Sequence, residues 1–76
     1  MMYYKVGDLV VSSNRDVEDD HLCAVWDESL HRAIDFLSPD EFAIVVEKCS
    51  KHYDWIKIAT PRGKVGMVYS TDLKRQ

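Results

Sequence analysis

The side chains with the most chemical potential in this sequence are two cysteines and the histidines close to them. His21-x-Cys23 and Cys49-x-x-His52 each bring a thiol and an imidazole together, and the four side chains form an acceptable zinc ligand set. Each pair matches on a single short spacing, whereas structural zinc sites are usually built on Cys-x-x-Cys turns. We therefore predict no metal, and keep a small zinc-stabilised domain held by His21, Cys23, Cys49 and His52 as an alternative.

Nucleophilic catalysis is the second kind of chemistry to consider. The candidate thiol–imidazole pairs are Cys49 with His52 and Cys23 with His31. Either pair would need a third orienting group and an oxyanion donor, and the sequence contains no nucleophile elbow. The neighbouring carboxylates of Asp19-Asp20 and of Asp40-Glu41 would point to opposite faces of a strand, so they could not share a proton. We predict that the chain is not an enzyme and has no cofactor.

Nucleic-acid binding is disfavoured by the charge of the chain. The formal net charge is −3, and domains that bind nucleic acid usually carry a basic stripe. The three glycines are isolated, so there is no loop to cradle phosphates. A nucleic-acid-associated small β-barrel is kept as the alternative function. It would stack bases on exposed aromatic side chains, namely Tyr3, Tyr4, Tyr53, Trp55 and Tyr69.

The bulk properties are those of one small globular domain. The chain has 76 residues, 46% of them hydrophobic and 30% charged, which places it among folded and not disordered proteins. No apolar run approaches the roughly 18 residues that a membrane-spanning helix needs. The N-terminus does not resemble a signal peptide, and we expect both cysteines to be reduced thiols. We predict a single domain over 1–76, located in the cytoplasm and not in a membrane.

A β-hairpin is predicted over residues 55–69. In Trp55–Ala59 the isoleucines Ile56 and Ile58 would face one side, with the indole and Lys57 on the other. A turn follows with proline in second and glycine in fourth position, and Val65–Tyr69 returns as a second strand. The indole is thus expected to be substantially exposed.

Residues 21–37 fit two structures. Apolar residues recur at helical spacing with acidic residues opposite, which favours an amphipathic helix slightly. Residues 22–26 and 33–37 can equally form two short strands, joined by a turn over 27–32. The pattern alone leaves both structures open.

Three further segments complete the sequence-based description. Lys5–Val11 is predicted to form a turn followed by a strand. Residues 12–20 are predicted to form a polar, mostly acidic loop. Phe42–Val46 is apolar on both faces, which predicts a central strand buried on both sides. Ser70–Leu73 is predicted to be a short helical turn closed by a buried leucine.

The order of short motifs from about Leu22 onward resembles that of bacterial Src-homology-3 (SH3) domains. That family tends to show a charged or glycine turn before a strand, a Trp-aromatic-Lys-Val strand, a tight turn, Gly-Trp-Val and a Ser-x-Tyr-Leu ending. The counterparts here are Asp40-Glu41 before Phe42–Glu47, Trp55-Ile56-Lys57-Ile58, Arg62-Gly63-Lys64, Gly66-Met67-Val68 and Ser70-Thr71-Asp72-Leu73. The opening Val-Gly-Asp-Leu-Val also resembles small phage- and bacterium-encoded SH3-like proteins.

The resemblance implies an all-β fold: a small SH3-like barrel of five or six antiparallel strands with a long first loop. It also implies that residues 21–37 form a hairpin-like loop and not a helix. Three departures from the family pattern bear on function. Met67 stands where the family usually has tryptophan, Asp72 where it often has tyrosine, and Tyr69 where peptide-binding members have proline. The pocket for proline-rich peptides is therefore not carried over intact, whereas the barrel, with Trp55 exposed beside the first long loop, is carried over.

The predicted function is a non-catalytic interaction module that binds a protein or peptide. Trp55 and Tyr69 would form an aromatic floor with Tyr53 at its edge, and an acidic loop would form its rim through Asp16, Asp19 and Asp20. A desolvated aromatic anchor with a charged rim is typical of small recognition surfaces. Self-association is a further option for the partner. The competing interpretation makes Trp55 a half-buried wall of the barrel with no partner.

Overall fold

The chain folds as an antiparallel β-structure, seen in a computed structural model that describes residues 4–13, 23–48 and 54–76. Within these ranges the regular structure is strand, apart from one short 3₁₀ turn, Ser70–Asp72. Among the described helical residues, no stretch is long and apolar enough to cross a membrane. The strands are β1 (Leu9–Ser12), β2 (Cys23–Trp26), β3 (Ala33–Leu37), β4 (Phe42–Lys48), β5 (Trp55–Ala59), β6 (Val65–Tyr69) and β7 (Leu73–Arg75).

The seven strands form one antiparallel sheet in the order β3-β2-β6-β5-β4-β1-β7. The all-β prediction is confirmed, but the predicted five or six strands were too few. The missed strand is β7, which is three residues long and pairs with β1 through Leu73 opposite Ser12. The predicted helical turn before it is present, and Leu73 is fully buried as expected.

Residues 23–37 are a hairpin and not a helix. β2 and β3 pair directly, with Cys23 opposite Leu37, and the six-residue connection covers 27–32 as predicted. The Asp27 carboxylate organises this connection by accepting hydrogen bonds from the Ser29 hydroxyl at 2.9 Å and the His31 N–H at 3.0 Å. The implication of the resemblance is therefore confirmed over 23–37, while positions 21 and 22 lie outside the described residues.

The hydrophobic core lies on one face of the sheet and contains residues from the strands at both ends of the strand order. Its members are Tyr4, Val10, Cys23, Val25, Leu37, Ala43, Val45, Ile56, Ile58, Val68 and Leu73. Since β2 and β3 lie at one end of the strand order and β1 and β7 at the other, the sheet must curl for these side chains to meet. The Cys23 Sγ lies 3.9 Å from the Asp72 carbonyl oxygen, which brings β2 close to the turn before β7.

β4 is central in the sheet but buried on one face only. It lies between β5 and β1, as predicted for Phe42–Val46. Ala43 and Val45 are buried, whereas Phe42 and Ile44 on the opposite face are 38% and 46% exposed. The prediction of burial on both faces was wrong, because the described residues form a single sheet with its core on one side. We call the side opposite the core the outer face.

Candidate functional site

The predicted aromatic floor exists as a cross-strand pair on the outer face. Trp55 of β5 lies directly opposite Tyr69 of β6, with ring centroids 5.4 Å apart and planes at 89°. This edge-to-face arrangement suits the opposite charges of an aromatic edge and an aromatic face. The prediction that the indole shares a side with Lys57, opposite the buried Ile56 and Ile58, is confirmed by the alternating burial of β5.

The Trp55 side chain is less exposed than predicted. Trp55 is half-buried and not substantially exposed, while Tyr69 is 37% exposed. The reason is the register of β5 and β6, which places the Tyr69 ring opposite the indole. The alternation pattern of β5 alone does not reveal this neighbouring ring. The pair thus offers one accessible phenol ring and part of an indole.

Charged groups flank the pair along β5. The Lys57 Nζ lies 2.5 Å from a carboxylate oxygen of Glu28 and 3.5 Å from one of Glu47. The hydrogen bond to Glu28 raises the pKa of Lys57, and the same contact lowers the pKa of Glu28. Two carboxylates around one ammonium leave a local negative excess, which the exposed Asp54 beside Trp55 increases.

The other predicted members of this surface are not described. Tyr53, Asp16, Asp19 and Asp20 all lie outside the described residues. Tyr4 was predicted to be an exposed aromatic residue that could stack on bases. This prediction is wrong, because Tyr4 is only 2% exposed. Its hydroxyl lies 3.1 Å and 2.8 Å from the carbonyl oxygens of Ser70 and Leu73, so it belongs to the core and not to a stacking surface.

The alternative zinc set is represented in the described residues by Cys23 alone, because His21, Cys49 and His52 lie outside them. Cys23 is buried in the core, as expected for a core thiol. Burial, together with the nearby Asp72 charge, raises the pKa of the Cys23 thiol to about 12. With this pKa the Cys23 thiol is protonated at neutral pH.

We expect the chain to purify without stoichiometric zinc and to keep its melting temperature in a chelator. Zinc binding contributes about 10–16 kcal/mol of apparent free energy to small zinc domains, so a structural ion would be obvious on removal. Metal analysis and thermal unfolding with and without chelator check this. Unfolding by the chelator would instead establish the site of His21, Cys23, Cys49 and His52.

A polar cluster around Arg62 was not predicted. Arg62, in the β5–β6 turn, has its Nε 3.0 Å from both carboxylate oxygens of Asp35 on β3. Its guanidinium also contacts the Glu41 carboxylate and the Phe36 carbonyl oxygen. Glu41 further accepts hydrogen bonds from the Ser38 N–H and hydroxyl, at 2.9 and 2.8 Å. The cluster joins two turns that are distant in sequence, and no local pattern signals it.

The Glu41 carboxylate is expected to make stability depend on pH below about 4.5. Hydrogen bonds from Arg62 and then from Ser38 lower its pKa from 4.5 to about 2. Because the folded-state pKa is the lower one, the stabilisation is complete above about 4.5 and is lost as the pH falls toward 2. Urea unfolding across this range should show a shallower decline for Glu41→Gln than for the wild type. Asp40→Asn, which removes the neighbouring exposed carboxylate, should keep the wild-type slope; equal slopes for all three would contradict the assignment.

The Trp55–Tyr69 pair and its charged neighbours supply groups suited to contact with another molecule. The described residues hold no cluster of three or more histidine, cysteine or acidic side chains that could bind a metal ion. The aromatic pair offers apolar contact area and a ring face, with acidic groups beside it. No protein-family model matches this chain, and a search of curated proteins finds no match.

Proposed function

We propose that this chain is a non-catalytic interaction module that binds a protein or peptide through the Trp55–Tyr69 pair. The observation that carries the proposal is the position of the pair: two aromatic rings in contact on the outer face, one of them 37% exposed. Aromatic side chains are enriched at the energetic centres of interfaces, because they bury a large area with little loss of conformational freedom.

The surroundings of the pair support this proposal in two ways. Ile56 and Ile58 anchor β5 in the core, so the rings stand on a rigid strand and not on a loop. Glu28 and Glu47 around Lys57, together with the exposed Asp54 next to Trp55 in sequence, provide a charged rim. Such a rim accelerates association with a basic partner more than it strengthens the complex.

We further propose that the curled sheet closes as an SH3-like barrel. The short distance between Cys23 and Asp72 supports closure, as does a core shared by both ends of the sheet. The acidic rim of Asp16, Asp19 and Asp20 and the edge residue Tyr53 stay predictions from the sequence, because these positions lie outside the described residues.

The test is affinity capture from the source cell with the chain as bait. Wild type should retain a partner that Trp55→Ala loses. Phe36→Ala is the control, because it removes an exposed aromatic ring, 46% accessible, from the edge strand β3, away from the pair. Equal capture by wild type and Trp55→Ala would move the binding surface elsewhere, and loss in the control alone would assign it to β3.

Salt dependence separates the proposal from the nucleic-acid alternative. A protein partner held by apolar contact should stay bound at moderate salt. Binding through phosphate contacts should instead fall steeply as salt rises, because counterions are released on binding. Capture of nucleic acid with such a dependence would establish the alternative.

A further inference from the structure

The strand β3 lies at one end of the strand order, and among the described strands it pairs with β2 alone. Along an antiparallel strand, alternate residues point their N–H and C=O groups toward the neighbouring strand and away from it. The groups that point away from the last strand of a sheet form a template on which another chain can add a strand. β3 is therefore open to strand addition unless its outward backbone groups are covered.

The polar cluster around Arg62 covers these groups at Phe36. The Phe36 N–H donates a hydrogen bond to the Asp35 carboxylate at 2.8 Å. The Phe36 carbonyl oxygen accepts a hydrogen bond from the Arg62 guanidinium at 2.5 Å. The carboxylates of Asp35 and Glu41 hold the same guanidinium in place. Side chains thus bind both backbone groups of Phe36, which identifies Phe36 as a residue that faces away from β2.

The same cover continues at Ser38, directly after β3. The Ser38 N–H donates to the Glu41 carboxylate at 2.9 Å, and the Ser38 carbonyl oxygen accepts from the Glu41 N–H at 3.0 Å. Residues two apart in an extended chain point their backbone groups to the same side, so Phe36 and Ser38 belong to one edge. All four backbone groups of these two residues therefore have a partner in the cluster.

We infer that the Arg62 cluster seals the outer edge of β3 against pairing with β3 of a second copy of this chain. Removing the guanidinium releases the Phe36 carbonyl oxygen and takes away the cation that holds Asp35 and Glu41. Phe36 then presents one donor and one acceptor on the same edge, an arrangement that is complementary to itself. An antiparallel pair of two copies can set Phe36 opposite Phe36, so that each N–H meets the carbonyl oxygen of the other copy.

Sedimentation equilibrium over a wide concentration range compares Arg62→Ala with Arg32→Ala. Arg32 is exposed in the β2–β3 connection, outside the cluster, so both variants lose the same charge. The wild type and Arg32→Ala should have the same apparent mass at every concentration, whereas Arg62→Ala should self-associate at least about tenfold more tightly. Equal self-association of the two variants overturns the inference. Circular dichroism checks folding, and Arg62→Lys replaces Arg62→Ala if the latter is unfolded, because an ammonium lacks the fork of donors that joins these groups.

A proline in β3 separates strand addition from a general loss of stability. Because the Phe36 N–H faces away from β2, Phe36→Pro removes no hydrogen bond between β2 and β3, but it blocks the outer edge. Arg62→Ala with Phe36→Pro should therefore associate no more than the wild type. Arg62→Ala with Phe36→Ala keeps the N–H and should still associate. Association that survives the proline, or that both double variants lose equally, overturns the inference.

Amide hydrogen exchange tests the same edge without a second substitution. In Arg62→Ala the Phe36 N–H should exchange more slowly as the concentration rises, because pairing with a second copy covers it. In Arg32→Ala its exchange rate should not depend on concentration. Self-association of Arg62→Ala without any added protection at Phe36 would place the contact elsewhere and overturn the inference.

Discussion

Replacing Gly66 with alanine is expected to lower the free energy of unfolding by about 3 kcal/mol. Gly66 lies on β6 opposite Ile58, on the buried side of the sheet. A Cβ at this position would lie 2.6 Å from the Trp26 carbonyl oxygen and 2.7 Å from a Val25 methyl carbon. The first contact is with backbone, so a side-chain rotation cannot relieve it, and β2 and β6 must move apart.

Gly63→Ala is the matched control for this prediction. Gly63 lies in the β5–β6 turn, where an added Cβ meets no atom within 4 Å. Its φ of +80° still disfavours any residue with a Cβ, at a cost of roughly 1–2 kcal/mol. Urea unfolding of both variants measures the difference. If Gly66→Ala costs no more than Gly63→Ala, the close packing of β2 against β6 is wrong.

The second large effect is expected at Leu37. This side chain is fully buried at the end of β3 and belongs to the core formed by both ends of the sheet. Leu37→Ala should cost roughly 2–5 kcal/mol, because it removes buried methyl groups and leaves a cavity. A domain of this size is stable by only about 5–10 kcal/mol, so the variant should unfold at a much lower urea concentration.

Leu9→Ala provides the same substitution at an exposed site. Leu9 is 48% exposed on the outer face, and the change should cost less than about 1 kcal/mol when measured at low concentration. Urea unfolding monitored by circular dichroism checks both variants. Equal losses at the two leucines would contradict the one-sided core, and Leu37→Val extends the comparison if Leu37→Ala does not fold.

The hairpin over residues 55–69 could be predicted because local signals agree. Alternation in β5, a proline and a glycine in the turn, and β-forming residues in β6 all favour the same structure. Residues 23–37 could not be assigned from the pattern alone, because helical and strand periods fit the same apolar residues. The resemblance to the SH3 order of motifs decided correctly for the hairpin.

The errors concern contacts between elements. An apolar run such as Phe42–Val46 does not reveal which of its faces will be covered, and here one face stays exposed. The half-burial of Trp55 depends on Tyr69, fourteen residues later, and on the register that brings them together. The Arg62 cluster depends on the curl of the sheet, which brings the β5–β6 turn to Asp35 and Glu41. These features follow from tertiary packing, which a single-strand pattern does not contain.

The central claim is that the Trp55–Tyr69 pair binds a partner. The most direct test measures two quantities on Trp55→Ala: its free energy of unfolding, and its affinity for the captured partner. Because the indole is half-buried, we expect the loss of stability to stay below the roughly 3–5 kcal/mol typical of a buried tryptophan. The affinity should fall by at least ~2 kcal/mol, as for an interface anchor. A variant that folds and binds the partner with unchanged affinity would contradict the claim, and one that cannot fold would make Trp55 part of the core.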